Sequence, residues 1–433
     1  MMIILKGLKS FDQFLNEKIK ESLVISYDFK TMADLNGGAF GHLSHLYEDL
    51  DLTFGDLKEI VEAGLRGELN EIVEKTDGQA LSLSFKDGRI IYARNKGQFK
   101  NFGANALDSK GIKEMFAGRG TLSEAYNFAI DDLESALLKL PTKELNAIFN
   151  EGEKFMHLEV MYTRNQVTVP YGAELLVFHN VSTYDKDGEL MVQDRKSADK
   201  LAKMIKDVNA EVQKTFKIQG SPYVDMKVID DFDKKKSEFF KKINEIEKKV
   251  GLIDTSTLGD YYEQEFEKVL KKERPGLNEI ERIGLVRRWV REDKSFRLDK
   301  SNLELENIEW AKDFEKSKVL NTIKEIRKPI ELFSIELGIE IIKNIKTFLT
   351  VNPDQATESI KRELDKAIND IKSGGDESAI NKMERHLERL QSFGMDQIFP
   401  TEGVIFQRGN QLYKLTGTFA DVHHIIGILK FGR

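Results

Sequence analysis

The sequence predicts an α+β protein whose antiparallel-sheet core is assembled from both ends of the chain and interrupted by a large all-α insertion. Three observations carry this expectation. Alternating apolar runs bounded by turn residues occupy positions 69–95 and 155–181. From about Arg195 to Met395 apolar residues recur at helical spacing, with few strand signals. Strand character then returns in Thr401–Phe406 and Gln411–Thr416, on either side of Arg408-Gly409-Asn410. The expected divisions are an N-terminal part of the core over 1–194, a helical domain over 195–395 and a C-terminal part of the core over 396–433.

Composition narrows the function classes. A chain of 433 residues that is 40% hydrophobic can bury substantial cores, and its net charge of −7 argues against a surface that binds polyanions everywhere. The absence of cysteine excludes disulfides, thiolate metal sites and cysteine nucleophiles. No apolar run approaches the ~18 residues of a membrane span, and the opening Met1-Met2-Ile3-Ile4-Leu5 is short for a signal core, so a cytoplasmic protein is expected.

In chain order, Ser10 and Gln13 fit a capping box ahead of Phe11, Phe14, Leu15 and Ile19, which predicts a first amphipathic helix. A glycine-rich turn at 36–41 runs into His42, His45 and Glu48, spaced to gather imidazoles toward a metal or a nucleotide. Thr53 and Asp56 open a second helix through Leu57, Ile60, Val61 and Leu65. Strands are expected at Leu69–Val73 and Gln79–Phe85, with Glu74-Lys75-Thr76-Asp77-Gly78 between them. Asp87-Gly88 is a two-residue hairpin signal leading to a strand that ends at Arg94. Thr121–Leu138 has a clear apolar stripe. Phe155–Tyr162 reads as a buried strand with one carboxylate, Glu159; an isolated charge there is costly unless it faces a polar site. Glu174–Val181, with Phe178, is a similar strand.

Helices are expected over 198–216, 234–250, 258–271, 278–292, 307–350 and 356–393, the last broken at Gly374-Gly375. Arg287, Arg288 and Arg291, around Trp289, form the densest basic cluster, and 287, 288 and 291 share a helix face that could contact phosphates. His423 and His424, in a final helical segment, are expected at the surface.

The chemical centre of this pattern is Lys75. Its amine is a poor nucleophile near its ordinary pKa of ~10.4 and needs neighbours or a metal that favour the neutral form. The K-x-D-G turn offers that nucleophile, a carboxylate two residues on, and a glycine that lets backbone approach a phosphate.

Taken together, Lys75-x-Asp77-Gly78, Arg94-Asn95, Glu159, Phe178, Glu402-Gly403-Val404-Ile405 and Lys414 resemble, in order and strand context, the motifs of the covalent nucleotidyltransferase superfamily. That superfamily contains ATP-dependent DNA ligases, RNA ligases and mRNA capping enzymes. The resemblance covers roughly 69–181 and 401–416 and looks closest to RNA-ligase-like proteins of bacteriophages. It implies a nucleotidyltransferase (ligase adenylation) core in which Lys75 attacks the α-phosphate of ATP to form a lysyl-AMP. It implies that Glu402 holds Mg2+ or Mn2+, that Glu159 contacts the ribose hydroxyls of the nucleotide or the metal through a bound water, that Lys414 clamps the α-phosphate, and that Phe178 stacks on the purine. Arg94 would contact ribose or a substrate 5′-phosphate, Asp77 would orient the lysine turn, and Glu74 would border the purine pocket.

Two departures qualify the resemblance. The usual second lysine of the K-x-K motif is Thr416, and 17 residues follow it, fewer than an OB-fold domain needs, which points to the RNA-ligase branch. The expected activity is ATP-dependent sealing of nucleic acid with 5′-phosphate and 3′-hydroxyl ends, RNA favoured. The alternatives are a nucleotidyltransferase with another acceptor (DNA end, cap, protein or small molecule) and a catalytically degenerate nucleotide-binding scaffold.

Overall fold

Thr53 and Asp56 do close a capping box on α1 (Phe54–Arg66), with the Asp56 amide donating to Thr53 Oγ1 at 3.0 Å and the Thr53 amide to Asp56 Oδ2 at 2.9 Å. The computed structural model describes residues 43–431 apart from 167, 210–214, 294, 301–302, 376 and 410. The expected first helix and His42 lie outside the described residues.

β1 (Val73–Lys75) starts later than the pattern suggests and contains the lysine. Glu71 adopts a left-handed conformation (φ 46°), so extended pairing begins only after it. β2 (Gln79–Lys86) and β3 (Arg89–Ala93) form the expected hairpin, with Asp87 at φ 51° and Gly88 at φ 74° as a two-residue turn. Then come α2 (Lys96–Gly103), α3 (Ser109–Phe116), α4 (Thr121–Leu137), α5 (Thr142–Phe149), β4 (Lys154–Met161), β5 (Leu175–Tyr184), β6 (Leu190–Asp194), α6 (Arg195–Asn209) and β7 (Lys217–Gln219). The strands form a six-stranded sheet in the order β3-β2-β4-β5-β6, with β7 parallel beside β5.

The helical stretch follows as α7 (Phe232–Val250), α8 (Leu258–Glu273), α9 (Glu279–Val290), α10 (Leu305–Ser317), α11 (Val319–Ile342), α12 (Pro353–Gly374) and α13 (Glu377–Phe393). The single helix expected over 307–350 is therefore two, separated at Lys318. β8 (Gly403–Arg408), β9 (Gln411–Leu415) and α14 (Phe419–Phe431) complete the chain, and β1, β8 and β9 make a second antiparallel sheet. Mixed α/β structure with antiparallel sheets is thus present, consistent with the α+β class.

The three largest apolar cores among the described residues hold these parts together. Leu81, Leu158, Leu176 and Phe178 of the large sheet pack with α3 to α6. On its other face Met161, Leu175 and Val177 pack with Ile360, Leu387 and Ile425 of α12, α13 and α14. The small sheet's Val404, Phe406 and Leu415 share a core with α1 and with α7 to α11. The boundaries drawn at 194/195 and 395/396 therefore do not coincide with core boundaries. Helical periodicity marks a change of secondary structure, whereas a domain is defined by where apolar faces meet. Among the described residues no helix is long and apolar enough to cross a membrane.

Candidate active site around Lys75

Lys75 ends β1, opposite Gly403 of β8, and its ammonium forms an ion pair with Glu402 from the residue just before that strand. Gly403 has φ 146°, and a Cβ there would lie 2.2 Å from the Leu415 carbonyl oxygen, so the crossing of the small sheet at this point needs glycine. Burial alone would lower the Lys75 pKa. The carboxylates of Glu402, Glu159 and Asp77 outweigh it and hold the amine above its usual value.

Glu159 reaches the site because of strand alternation. On β4, Met156, Leu158 and Val160 enter the helix-covered core, so the intervening residues point to the opposite face. There the Glu159 carboxylate accepts from the Thr76 hydroxyl and, at 3.1 Å, from the Gly78 amide. A Cβ on Gly78 would sit 3.0 Å from Glu159 Cβ, so the glycine is what lets the turn close onto this carboxylate. Burial pushes Glu159 up to about 7 against the opposing pull of Lys75, Thr76 and the Gly78 amide, and Glu402 adds a further rise.

Asp77 clamps the turn. Its Oδ2 accepts from the Thr168 and Val169 amides at 3.0 and 3.1 Å, while its own amide donates to the Tyr171 hydroxyl at 2.6 Å. Lys414, paired with Ile405 across β8 and β9, brings a second cation. Burial lowers its pKa, Lys75 lowers it further, and Glu48 and Glu402 oppose this. Among the described residues Lys414 makes no ion pair.

Glu74 points away from Lys75, as β1 alternation requires. Its Oε2 accepts from the Leu349 amide at 2.6 Å, and its buried Oε1 makes no hydrogen bond of normal geometry. Burial raises it to about 7, against the Leu349 amide and the Thr401 side chain.

Other expected members are placed differently. Phe178 is fully buried in the core with Leu158 and Tyr126 and does not reach the Lys75 face. A register shift pairs Leu158 with Phe178 and His157 with Asn180, leaving His179 bulged between them. It is His179 whose Nε2 lies 3.2 Å from the Thr76 hydroxyl. Burial, with Lys75 and Arg195, lowers His179 to about 3, so the ring is neutral. Arg94 hydrogen-bonds the Ala80 carbonyl, next to Glu159 in the ladder, and the Tyr126 hydroxyl; its guanidinium lies 5.5 Å from both the Phe116 and Tyr126 ring centroids.

The basic cluster is corrected more sharply. Arg288 binds Glu315 through two 2.9 Å contacts and the Phe296 carbonyl at 3.1 Å, and Arg291 is held by Glu263, Asp260 and Asp51. Trp289 is buried beside Phe314 and donates to Glu315 at 3.0 Å. Arg287 alone of the three is exposed. Acidic partners distant in sequence satisfy this helix face, so it is not an open phosphate patch. His45 likewise belongs to a capping turn, its amide donating to Glu48 at 2.8 Å and its ring stacked on Tyr47.

The donor chemistry fits a divalent cation at Glu402 and Glu159, since both carboxylates act on the Lys75 ammonium, Glu402 raises the Glu159 pKa, and a harder cation could take the ammonium's place. Thr76, Thr168, Tyr171 and His179 belong to the same neighbourhood and were not singled out by pattern, and His423, expected at the surface, is instead half-buried there against Thr168. The polar residue inside the apolar run Leu175–Phe178-His179 was a usable signal for one of them. Comparison with protein-family models, with curated proteins and with solved structures finds no match to this chain.

Proposed function

We propose that the chain is an ATP-dependent RNA ligase that works through a covalent lysyl-AMP on Lys75. The observation that carries this is the convergence of Lys75, Glu159, Glu402 and Lys414, from four separate strands or strand ends, in one charged cluster. A largely covered lysine flanked by carboxylates, with a second lysine beside it, suits attack on an anionic phosphorus better than it suits a structural ion pair.

A divalent cation held by Glu402 and Glu159 would neutralise charge on the phosphate oxygens. Lys75, once Glu402 is so engaged, is left with burial as its main influence, and burial favours the free amine. Its nitrogen lone pair then forms the N–P bond at the α-phosphorus. The bond to the bridging oxygen breaks, pyrophosphate leaves with that electron pair, and the nitrogen loses its remaining extra proton to solvent. Lys414 stabilises the charge on the α-phosphate oxygens, and Asp77 holds the turn that aims Lys75. A 5′-phosphate oxygen next displaces Lys75 to give an adenylylated end, and a 3′-hydroxyl displaces AMP to join the strands.

A second reading, adenylyl transfer to another acceptor, is favoured by one observation: the ion pairs of Arg288 and Arg291 leave that helix without the expected polynucleotide patch. The test is incubation of the purified chain with α-phosphate-labelled ATP and Mg2+ or Mn2+, followed by a denaturing gel and a chase with 5′-phosphorylated RNA or DNA. Acid-labile label lost in Lys75→Ala and moved to RNA supports the ligase. Label that moves to neither polynucleotide supports another acceptor, and absence of label overturns both readings in favour of a nucleotide-binding scaffold.

A further inference from the structure

Thr416 stands one residue beyond β9, in phase with Lys414, so the strand presents one cation toward the pocket where the resembled pattern has two. Another group approaches that wall from α14. His423 Nδ1 lies 2.8 Å from the Thr168 hydroxyl, and the Thr168 amide is one of the two held by Asp77. The ring is thereby tied to the lysine turn itself. It packs on Phe419, with ring centroids 5.3 Å apart. It is half-buried, and Thr168 is its one polar partner among the described residues.

The helix carrying His423 is firmly seated. Asp421, buried on the same helix, bonds His386 Nδ1 at 2.8 Å and lies 3.4 Å from Arg389 Nε, while Arg389 also pairs with Glu331 at 2.9 Å. These contacts join α14 to α13 and α11. His423 thus projects from a fixed element, and among the described residues no hydrogen bond to its other ring nitrogen is formed.

We infer that His423 is a nucleotide-binding residue of the Lys75 pocket, contacting phosphate oxygens of the bound nucleoside triphosphate from α14 in the role that Thr416 cannot fill. The inference rests on the nucleotidyl-transfer reading of Lys75. An imidazole N–H is a directional donor to an anionic oxygen, and the Thr168–Asp77 link keeps it in step with the nucleophile.

The test compares initial rates of Lys75 labelling by α-phosphate-labelled ATP, at subsaturating and saturating concentrations, in the full-length wild type, His423→Ala, His423→Gln and the double variant His423→Ala/Thr416→Lys. His423→Ala is expected to raise the ATP concentration for half-maximal labelling about tenfold, the scale of one charge-assisted hydrogen bond. His423→Gln, which keeps a donor, and Thr416→Lys, which restores a cation on β9, should each recover much of that loss. A His423→Ala variant that labels like wild type overturns the inference while leaving Lys75 chemistry intact. So does a loss that neither Gln nor Thr416→Lys relieves, which assigns His423 to packing of α14. A wild type that takes no label overturns the nucleotidyl-transfer reading and this inference with it.

Discussion

Lys75 and Glu402 meet where β1 crosses β8, one residue outside the register pair Lys75–Gly403, so the two ends of the chain contribute one charge each to the same ion pair. Neither side chain is more than one-fifth exposed, at 16% and 18%, and each carries the other's desolvation cost.

On the proposed mechanism, Lys75→Ala should abolish formation of an acid-labile adenylate while the protein still folds. The variant should keep its far-ultraviolet circular dichroism, and its labelling should fall to background. Persistent label would place the nucleophile on another residue.

Glu402→Gln keeps the shape of the side chain but removes the charge. The Mg2+ or Mn2+ concentration needed for half-maximal labelling should rise by about 10–100-fold, as for loss of a charged ligand or its close support. A metal titration of the labelling rate that superimposes on wild type would remove Glu402 from the cation's ligand set.

At Gly78 the limit is steric. A methyl group would press on Glu159 and on Met161, with contacts of 3.0 and 3.1 Å. Gly78→Ala should lower stability by about 1–3 kcal/mol through overpacking and should reduce labelling, because the turn and Glu159 must part. Chemical denaturation and the labelling rate check the two effects separately.

Arg288→Ala tests the correction of the basic cluster. Removing its bidentate partner from Glu315 should cost about 1–2 kcal/mol after allowance for the partly exposed carboxylate, with no change in the salt dependence of RNA affinity. A flattened salt slope with unchanged stability would restore the phosphate-binding assignment.

Asp56 offers a pH signature in the capping box of α1. Burial raises its pKa, but Thr53 and Arg408 outweigh burial and hold it below the ordinary 3.8. A depressed folded-state pKa means that the associated stability is present above that ordinary value and is lost as pH falls through the lower folded one. Asp56→Asn should accordingly cost about 1–2 kcal/mol near neutrality, the scale of a helix cap, and the deficit should shrink as the wild type is acidified below pH 3.8. Parallel denaturation curves at several pH values measure this.

Local chemistry was legible in the residue order. The Thr53–Asp56 cap, the Asp87-Gly88 turn and the break at Gly374-Gly375 each depend on residues a few positions apart, and each forms where the pattern puts it. The polar orientation of Glu159 followed from one charge in an apolar strand, because alternation leaves such a residue only one other face. Partner identity was a different matter. Arg288 and Arg291 look like a phosphate patch until Glu315, Glu263 and Asp260 arrive from other helices. Phe178 and His179 exchange places because a bulge between β4 and β5 shifts the register, and no property of either residue encodes that bulge. The wall that joins Lys75 to Glu402, Lys414 and His423 exists only once β1 pairs with β8 and α14 docks. Caps and turns are short-range hydrogen-bond problems, whereas ion-pair partners and sheet register depend on long-range packing that residue spacing does not record.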